Sequence, residues 1–448
     1  MPATNPSLAE FVAQAQRGLQ SRVFGPEYLM KQSYFTVDTA TGVFNTTYGK
    51  KVWHALNNQV RFFNAIPRVV WGPTAGWRIR SDRGSGRSRP ITETGTLPTV
   101  DVSAIQTVSS LPRISGTTFG AAVKAIFTAN LEGGVGDVLA MEQENAQLDH
   151  MKDINQQLLA GDAYIASAGA ATTFTVPASI AHHFKIGDAV ATDDGGTPGR
   201  TTGSVVSAVN ETTGVVTIAT GTAVADGDIM YIFSRAGFTS LDDVVEVDSA
   251  DNVGAGGGQS EPRAYDLTLS GRATAGDWNA AARVDRAAGV GRDLSLNLLD
   301  NCIRDIRING GEPKLILLGW DQYFRLERLL STQQRYLGQE EYQVGVGNEK
   351  TLPGTRTGFV VATYQGIPIL PDPDVPASVS TADAVLGTNV YVLDTDYLEI
   401  AIAQPTQYVE NRDYFAVNAL VVRGLLYTMG ELRCNGFNRQ AKITDLNT

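Results

Sequence analysis

Cysteine and histidine are scarce in this chain of 448 residues, which has two of the first and four of the second. Cys302 and Cys434 are too few for a disulfide framework, and no Cys pair or His/Glu helix stands at metal-ligand spacing, so a zinc site is excluded at the level of motif. Cys302 shares an apolar helix face with Leu298, Leu299 and Ile306, the setting of a buried thiol. No apolar run approaches the roughly 20 residues of a membrane span. The start also lacks the basic-then-apolar order of a secretory signal, so a cytoplasmic product with no membrane partner is expected. Positive charge is short: 36 Lys and Arg against 47 Asp and Glu leave a net charge of -11, the wrong balance for a dedicated nucleic-acid binder. A serine nucleophile elbow and a Walker pattern are both missing, and the glycine-rich run 251–259 lacks the Gly-Lys-Ser/Thr end of a phosphate cradle. Asp242 with Asp243, Glu340 with Glu341, and Asp372 with Asp374 offer the groups of an acid/base or cation site, but carboxylates adjacent in sequence occur in any acidic surface, and that is the preferred reading. No catalytic residue, metal or cofactor is assigned, and an enzyme is not expected.

What the chain does contain is organised around the stretch from Asp137 to Ala160. Met141, Leu148, Met151 and Leu158 recur at helical spacing, Asp137 offers an N-cap and Gly161 a stop, which predicts one helix roughly 35 Å long. Glu142, Asp149 and Asp153 share another flank. The only cation within the helix is Lys152, so these carboxylates are expected to meet solvent or another part of an assembly.

Before this helix, Leu8, Phe11, Val12, Ala15 and Leu19 mark a short amphipathic segment, 24–51 reads as an extended arm, and Val52, Leu56 and Val60 mark a second short helix. From Ile66 to Ser115 the pattern is one long hairpin. Val69, Val70, Trp71, Trp77 and Ile79 lead outward, Gly84 to Gly86 form the tip, and Val100, Val102 and Val108 return. Five arginines, Arg78, Arg80, Arg83, Arg87 and Arg89, face one acid, Asp82, a local surplus of +4 in an acidic protein. A two-stranded ribbon with a charged tip is unstable in isolation and needs a surface to lie on. The blander alternative is a solvated loop. Trp71 and Trp77 at its base favour a clamp on a carboxylate-rich surface, with Glu142, Asp149 and Asp153 of an adjacent subunit as candidates.

After the helix, 163–235 loses helical periodicity and holds five short Val/Thr/Ile runs, suggesting a small closed barrel or sandwich inserted into the host domain. His182 and His183 within it read as surface residues. The host chain resumes with a Ser240/Asp243 cap, a helix over 293–309 stopped by Gly310 and Gly311, a buried strand at Leu315–Leu318 and a helix over 321–330, an α+β layer. Ser331 to Gly358 is a long polar loop with Arg335, Tyr336, Tyr342 and Lys350, and loops of that length are usually functional. Strand patterns return at 359–362, 367–370, 390–393, 398–403 and 420–427.

Three local patterns, Leu158 to Asp162 at the end of the long helix, the passage Gly310 to Leu318, and Tyr364 to Pro371, lie in a telling order. With the amphipathic arm, basic hairpin and terminal strands, this order resembles the major capsid protein of tailed double-stranded DNA viruses with the Hong Kong 97-like fold. The resemblance covers nearly the whole chain except 163–235. It implies an N-terminal arm (1–65), an E-loop hairpin (66–115), a P-domain with its spine helix (116–162), the inserted β-rich domain (163–235), a mainly A-domain segment (236–390) and a return to the P-domain (391–448).

It further implies hexamers and pentamers closing an icosahedral shell around packaged dsDNA held without sequence specificity. The loop 331–358 then lies near a capsomer centre, and a separate scaffolding protein, a portal and a decoration protein on the insertion are the implied partners. The place of action is the virion capsid, assembled in the host cytoplasm. Some relatives weld subunits through an E-loop lysine, but no lysine stands between Lys51 and Lys124, so that crosslink is not expected from this hairpin. The competing readings are an encapsulin-like compartment shell and a β-rich carbohydrate-active enzyme. The enzyme needs two carboxylates about 5 to 9.5 Å apart across a cleft, a pair the sequence does not nominate.

Overall fold

The computed structural model describes residues 60–72, 76–82, 93–95, 103–129, 137–160, 163–165, 172–176, 181, 183–193, 201–219, 229–232, 237–247, 262–268, 270–272, 274–287, 290–331, 341–343, 351–353, 363–379, 385–412 and 420–448. The amphipathic segment, the arm and the second short helix of the sequence reading lie outside them. Two compact units emerge, one built on 116–150 and 406–427, the other on 59–115, 151–405 and 428–448.

The larger unit is centred on a six-stranded sheet. Its strand order is Arg283–Asp285, Ala441–Ile443, Val390–Leu393, Leu315–Leu318, Ile367–Pro371 and Thr363–Tyr364. Leu315–Leu318 and Val390–Leu393 are buried at every position, as their unbroken apolar runs predict for strands covered on both faces. Alternation along them separates two cores. Ile316, Leu318, Val390 and Val392 pack with Leu299, Cys302, Ile303 and Ile306 of helix Leu296–Ile308 and with Tyr323 and Leu326 of helix Trp320–Ser331. Leu315, Leu317, Tyr391 and Leu393 pack on the other side with Ile154, Leu158 and Leu159. Helix Leu296–Ile308 stops because Gly310 takes a left-handed φ of 79°, which costs a glycine nothing.

The long helix runs from Val138 to Ala160, and the Asp137 carboxylate caps it by accepting from the N–H groups of Leu139 and Ala140 at 3.1 and 3.2 Å. Its buried face differs from the expected stripe. Met141, Leu148 and Met151 are only half-buried, whereas Val138, Ala146, His150 and Ile154 are buried and every residue from Ile154 to Ala160 is enclosed. The last turns meet the sheet core through Leu158 and Leu159 and a third core through Ala160. They have no wet face there.

That third core belongs to the segment after the helix. Six short antiparallel strands form a sheet of order Ala163–Ile165, Ile229–Ile232, Ala189–Asp193, Thr201–Asn210, Val215–Ile218 and Thr173–Thr175. Thr201–Asn210 pairs with Ala189–Asp193 over its first half and with Val215–Ile218 over its second. Phe174, Phe184, Val190, Val206, Val216 and Ile218 fill its own apolar centre. Ala163–Ile165 adds a strand to the five expected, in a run too short to carry a period.

A further sheet has the order Arg68–Val70, Leu398–Asn411, Val421–Cys434 and Arg113–Ala122. The expected hairpin is accordingly shorter at its root: Arg68–Val70 pairs in parallel with Leu398–Asn411, and only Gly76–Arg80 and Ile105–Ser109 pair with each other. The return residues Val100 and Val102 lie outside the described residues. Within the long polar loop, Glu341–Gln343 pairs with Thr351–Pro353, structure the sequence did not announce.

Candidate inter-subunit surface

The hairpin has two unlike faces. Strict register sets Trp77 opposite Val108 and Ile79 opposite Gln106 on one side, with Arg78 opposite Thr107 and Arg80 opposite Ile105 on the other. Val108 is buried in the main core, with Trp77 and Ile79 packed against it. Trp77 meets Tyr265 edge-on at 4.9 Å, and the Arg433 guanidinium lies 5.4 Å from the rings of both Trp71 and Trp77. The Asp266 carboxylate accepts from the Ser109 hydroxyl at 2.8 Å. Both tryptophans therefore fix the root of the ribbon to its own chain, while Arg78 and Arg80 are exposed. Arg83, Arg87 and Arg89 lie outside the described residues.

The acidic flank divides. Asp153 already has an in-chain partner, Lys185, at 2.7 Å. Burial pushes the Glu142 carboxyl up, and the charge of Asp149 adds to the shift. Lys152, the cation of the same helix, turns away from these acids to grip Asp374 at 2.7 and 2.8 Å. In the capsomer-loop set, Arg335, Tyr336 and Lys350 lie outside the described residues. Tyr342 stands in strand Glu341–Gln343.

Two surface expectations are corrected. Asp372 and Asp374 are fully buried. Asp372 accepts from the Phe62 N–H at 3.0 Å, and the Asn155 amide donates to both carboxylates, at 2.7 Å to Asp374 and 3.2 Å to Asp372. Burial raises the Asp372 carboxyl. His183 is buried too, with its Nε2 4.0 Å from Asp374. Asp242 accepts from buried Lys442 at 2.9 Å and from the Tyr391 hydroxyl at 2.6 Å. Ser240 caps helix Leu241–Val244 as expected. His150, with Thr117 2.9 Å from its Nδ1, is also a buried structural residue.

Sequence reasoning missed Glu431, which stands three residues before the end of strand Val421–Cys434 and is 1% exposed. It accepts from the N–H groups of Thr239 and Leu432, and Arg113 approaches its other oxygen at 3.3 Å. Among the described residues no group of His, Cys, Asp and Glu could hold a metal ion, and no helix is long and apolar enough to cross a membrane. Large apolar side chains nevertheless stand in solvent, among them Val70, Ile105, Leu111, Ile114 and Phe127. The hairpin thus joins a root fixed to its own chain to an outer face on which Arg78 and Arg80 stand in solvent.

The fold is mixed α+β, and the class that the family match defines is that of shell-forming structural proteins. The family model of the SU10 major capsid protein matches residues 57–413, and the chain belongs to that family. No curated protein sequence matches. Among solved structures, the cyanophage A-1(L) capsid chain shares the fold at a TM-score of 0.53 and 15% identity, over 92% of this chain and 100% of that one. A chain of the native GTA particle capsid aligns over 100% of both chains at a TM-score of 0.47 and 10% identity. One from Gordonia phage Cozz aligns over 94% of this chain and 98% of that one at 0.42 and 11%. The protein is a structural component of an icosahedral virion capsid. The family model favours this over the compartment-shell reading.

Proposed function

We propose that residues 66–115 act as an E-loop clamp, whose outer face lies on a neighbouring copy. Arg78, Arg80, Arg83, Arg87 and Arg89 face Glu142 and Asp149 of that copy's long helix, and Asp153 is left to Lys185. The observation that carries this is the division of the ribbon, with Trp77, Ile79 and Val108 turned into their own core and Arg78 and Arg80 turned out. The raised Glu142 carboxyl supports it, since a guanidinium placed beside Glu142 and Asp149 would relieve their repulsion.

On the same reading the chain follows the Hong Kong 97-like plan, with 1–65 as the arm, 116–162 and 391–448 as the P-domain and 236–390 as mainly the A-domain. Hexamers and pentamers form in the host cytoplasm with a separate scaffolding protein and a portal. Arg335, Tyr336, Tyr342 and Lys350 stand near each capsomer centre. The shell then holds dsDNA without sequence readout, which suits a net charge of -11. Residues 163–235, with their own apolar core, form an accessory domain on the outer surface open to a decoration protein. Changing all five arginines to serine tests the clamp: assembly yield, or the force at which shells break, should drop, and unchanged shells would remove it.

A further inference from the structure

The strand Arg113–Ala122 lies at one end of its four-stranded sheet. Val123 N–H donates to Leu420 C=O at 3.0 Å, and Phe119 stands against Gly424. Both contacts fit an antiparallel pairing with Val421–Cys434. Residues 113, 115, 117, 119 and 121 therefore turn their backbone polar groups to that neighbour, and Ile114, Gly116 and Thr118 turn theirs outward. All three of these are exposed, and no hydrogen bond recorded among the described residues reaches their backbone from the outer side. Toward its end the strand is covered again, Gly120 being buried.

Soluble proteins normally blunt such an edge with proline, a guarding charge or a bulge. Here Pro112 precedes the strand. The one charge, Arg113, is held by Glu431 at 3.3 Å and by the Gly237 carbonyl at 2.7 Å. The edge is flanked by exposed apolar side chains, Leu111 at 71% and Ile114 at 58%. An unguarded strand edge bordered by apolar groups is a template for strand addition.

We infer that the edge Arg113–Thr118 is an assembly contact, which takes up an extended segment of a second copy of this chain and so continues the sheet between subunits. A second copy is the occupant because the protein builds a shell from copies of itself, and the inference rests on that function. Main-chain pairing supplies the contact, and Leu111 and Ile114 are covered by the added strand. The contact uses neither the arginines nor the acidic flank of the clamp.

The N–H of Thr118 separates this contact from the subunit's own fold. Thr118→Pro removes a donor that no described residue of the subunit accepts from, whereas Thr118→Val keeps it. The T118P chain should fold and melt as the wild type does, yet give roughly tenfold fewer shells, while T118V assembles normally. In wild-type chains, hydrogen exchange at Ile114, Gly116 and Thr118 should slow by about a hundredfold or more between free subunits and empty shells. Normal assembly of T118P overturns the inference. So does unchanged exchange, or slowing that appears only when a scaffolding protein or packaged DNA is present. If T118P fails to fold, the exchange comparison on wild type decides alone. Failure of wild-type chains to assemble under any condition would instead strike the shell function itself.

Discussion

Glu431 makes the subunit's stability depend on pH in a direction opposite to most carboxylates. Burial pushes its carboxyl from 4.5 up to about 7, and Arg113 and the N–H groups of Thr239 and Leu432 pull it back only in part. A raised folded-state value means that the native protein holds this proton more tightly than the unfolded chain. The associated stability is complete below 4.5 and is lost as pH rises through 7. Linkage arithmetic with those two values gives about 2 kcal/mol more stability at about pH 5.5 than at about pH 8. The lower limit stays above the sequence pI of about 5.0. Glu431→Gln keeps an oxygen for the two N–H donors and removes the titration. Urea unfolding of unassembled subunits of both proteins, at several pH values, isolates the difference, because every other titrating group is common to them. The gap between the two curves should change by about 2 kcal/mol across that range, in favour of wild type at the acid end. Parallel curves would refute the reasoning.

Gly424→Ala would set its new carbon 2.4 Å from the Phe119 ring, which is stacked on Tyr408. Overpacking of this kind should cost about 1 to 3 kcal/mol in urea unfolding, and Phe119→Leu in the same chain should restore much of it. Lys152→Met leaves Asp374 buried without its cation, so a loss of about 3 to 5 kcal/mol is expected. A variant as stable as wild type would mean that Asn155 and the neighbouring backbone suffice.

Much of the central sheet was legible because local chemistry agreed with tertiary need. Leu315–Leu318 reads as a buried strand and is one, and Gly310 and Ser240 end and begin helices where their conformations require. The polar interior was not legible. Asp372, Asp374, Asn155 and Lys152 lie more than 200 residues apart across the pair Lys152–Asp374, and no local pattern shows that such groups will be enclosed together. An acidic doublet looks the same in a surface loop and in a buried bracket. The hairpin was half legible. Its alternation gave Trp77 and Arg78 opposite faces, but whether Val69 and Val70 join it or another sheet depends on Leu398–Asn411, which is remote in sequence.

The subunit and the proposed clamp should answer differently to salt. Within the chain, Lys152–Asp374 and Lys442–Glu246 are enclosed, with side-chain exposures of 17% and 0%, and 2% and 7%, so mobile ions screen them little. Arg78 and Arg80 are exposed. Arginine pairs at a partly wet contact contribute about 0 to 1 kcal/mol each and weaken once the Debye length falls to about 3 Å near 1 M salt. In the proposed clamp each copy would donate one hairpin and receive another, so the small terms would recur around the whole shell and their loss would be multiplied. Sodium chloride rising toward about 1 M should therefore reduce assembly, followed by light scattering, while urea unfolding of the isolated subunit stays within about 1 kcal/mol of its low-salt value. The five-serine variant should have lost most of that salt response. Assembly indifferent to salt would mean that apolar burial and strand pairing hold the copies together, and that the arginines do not grip carboxylates.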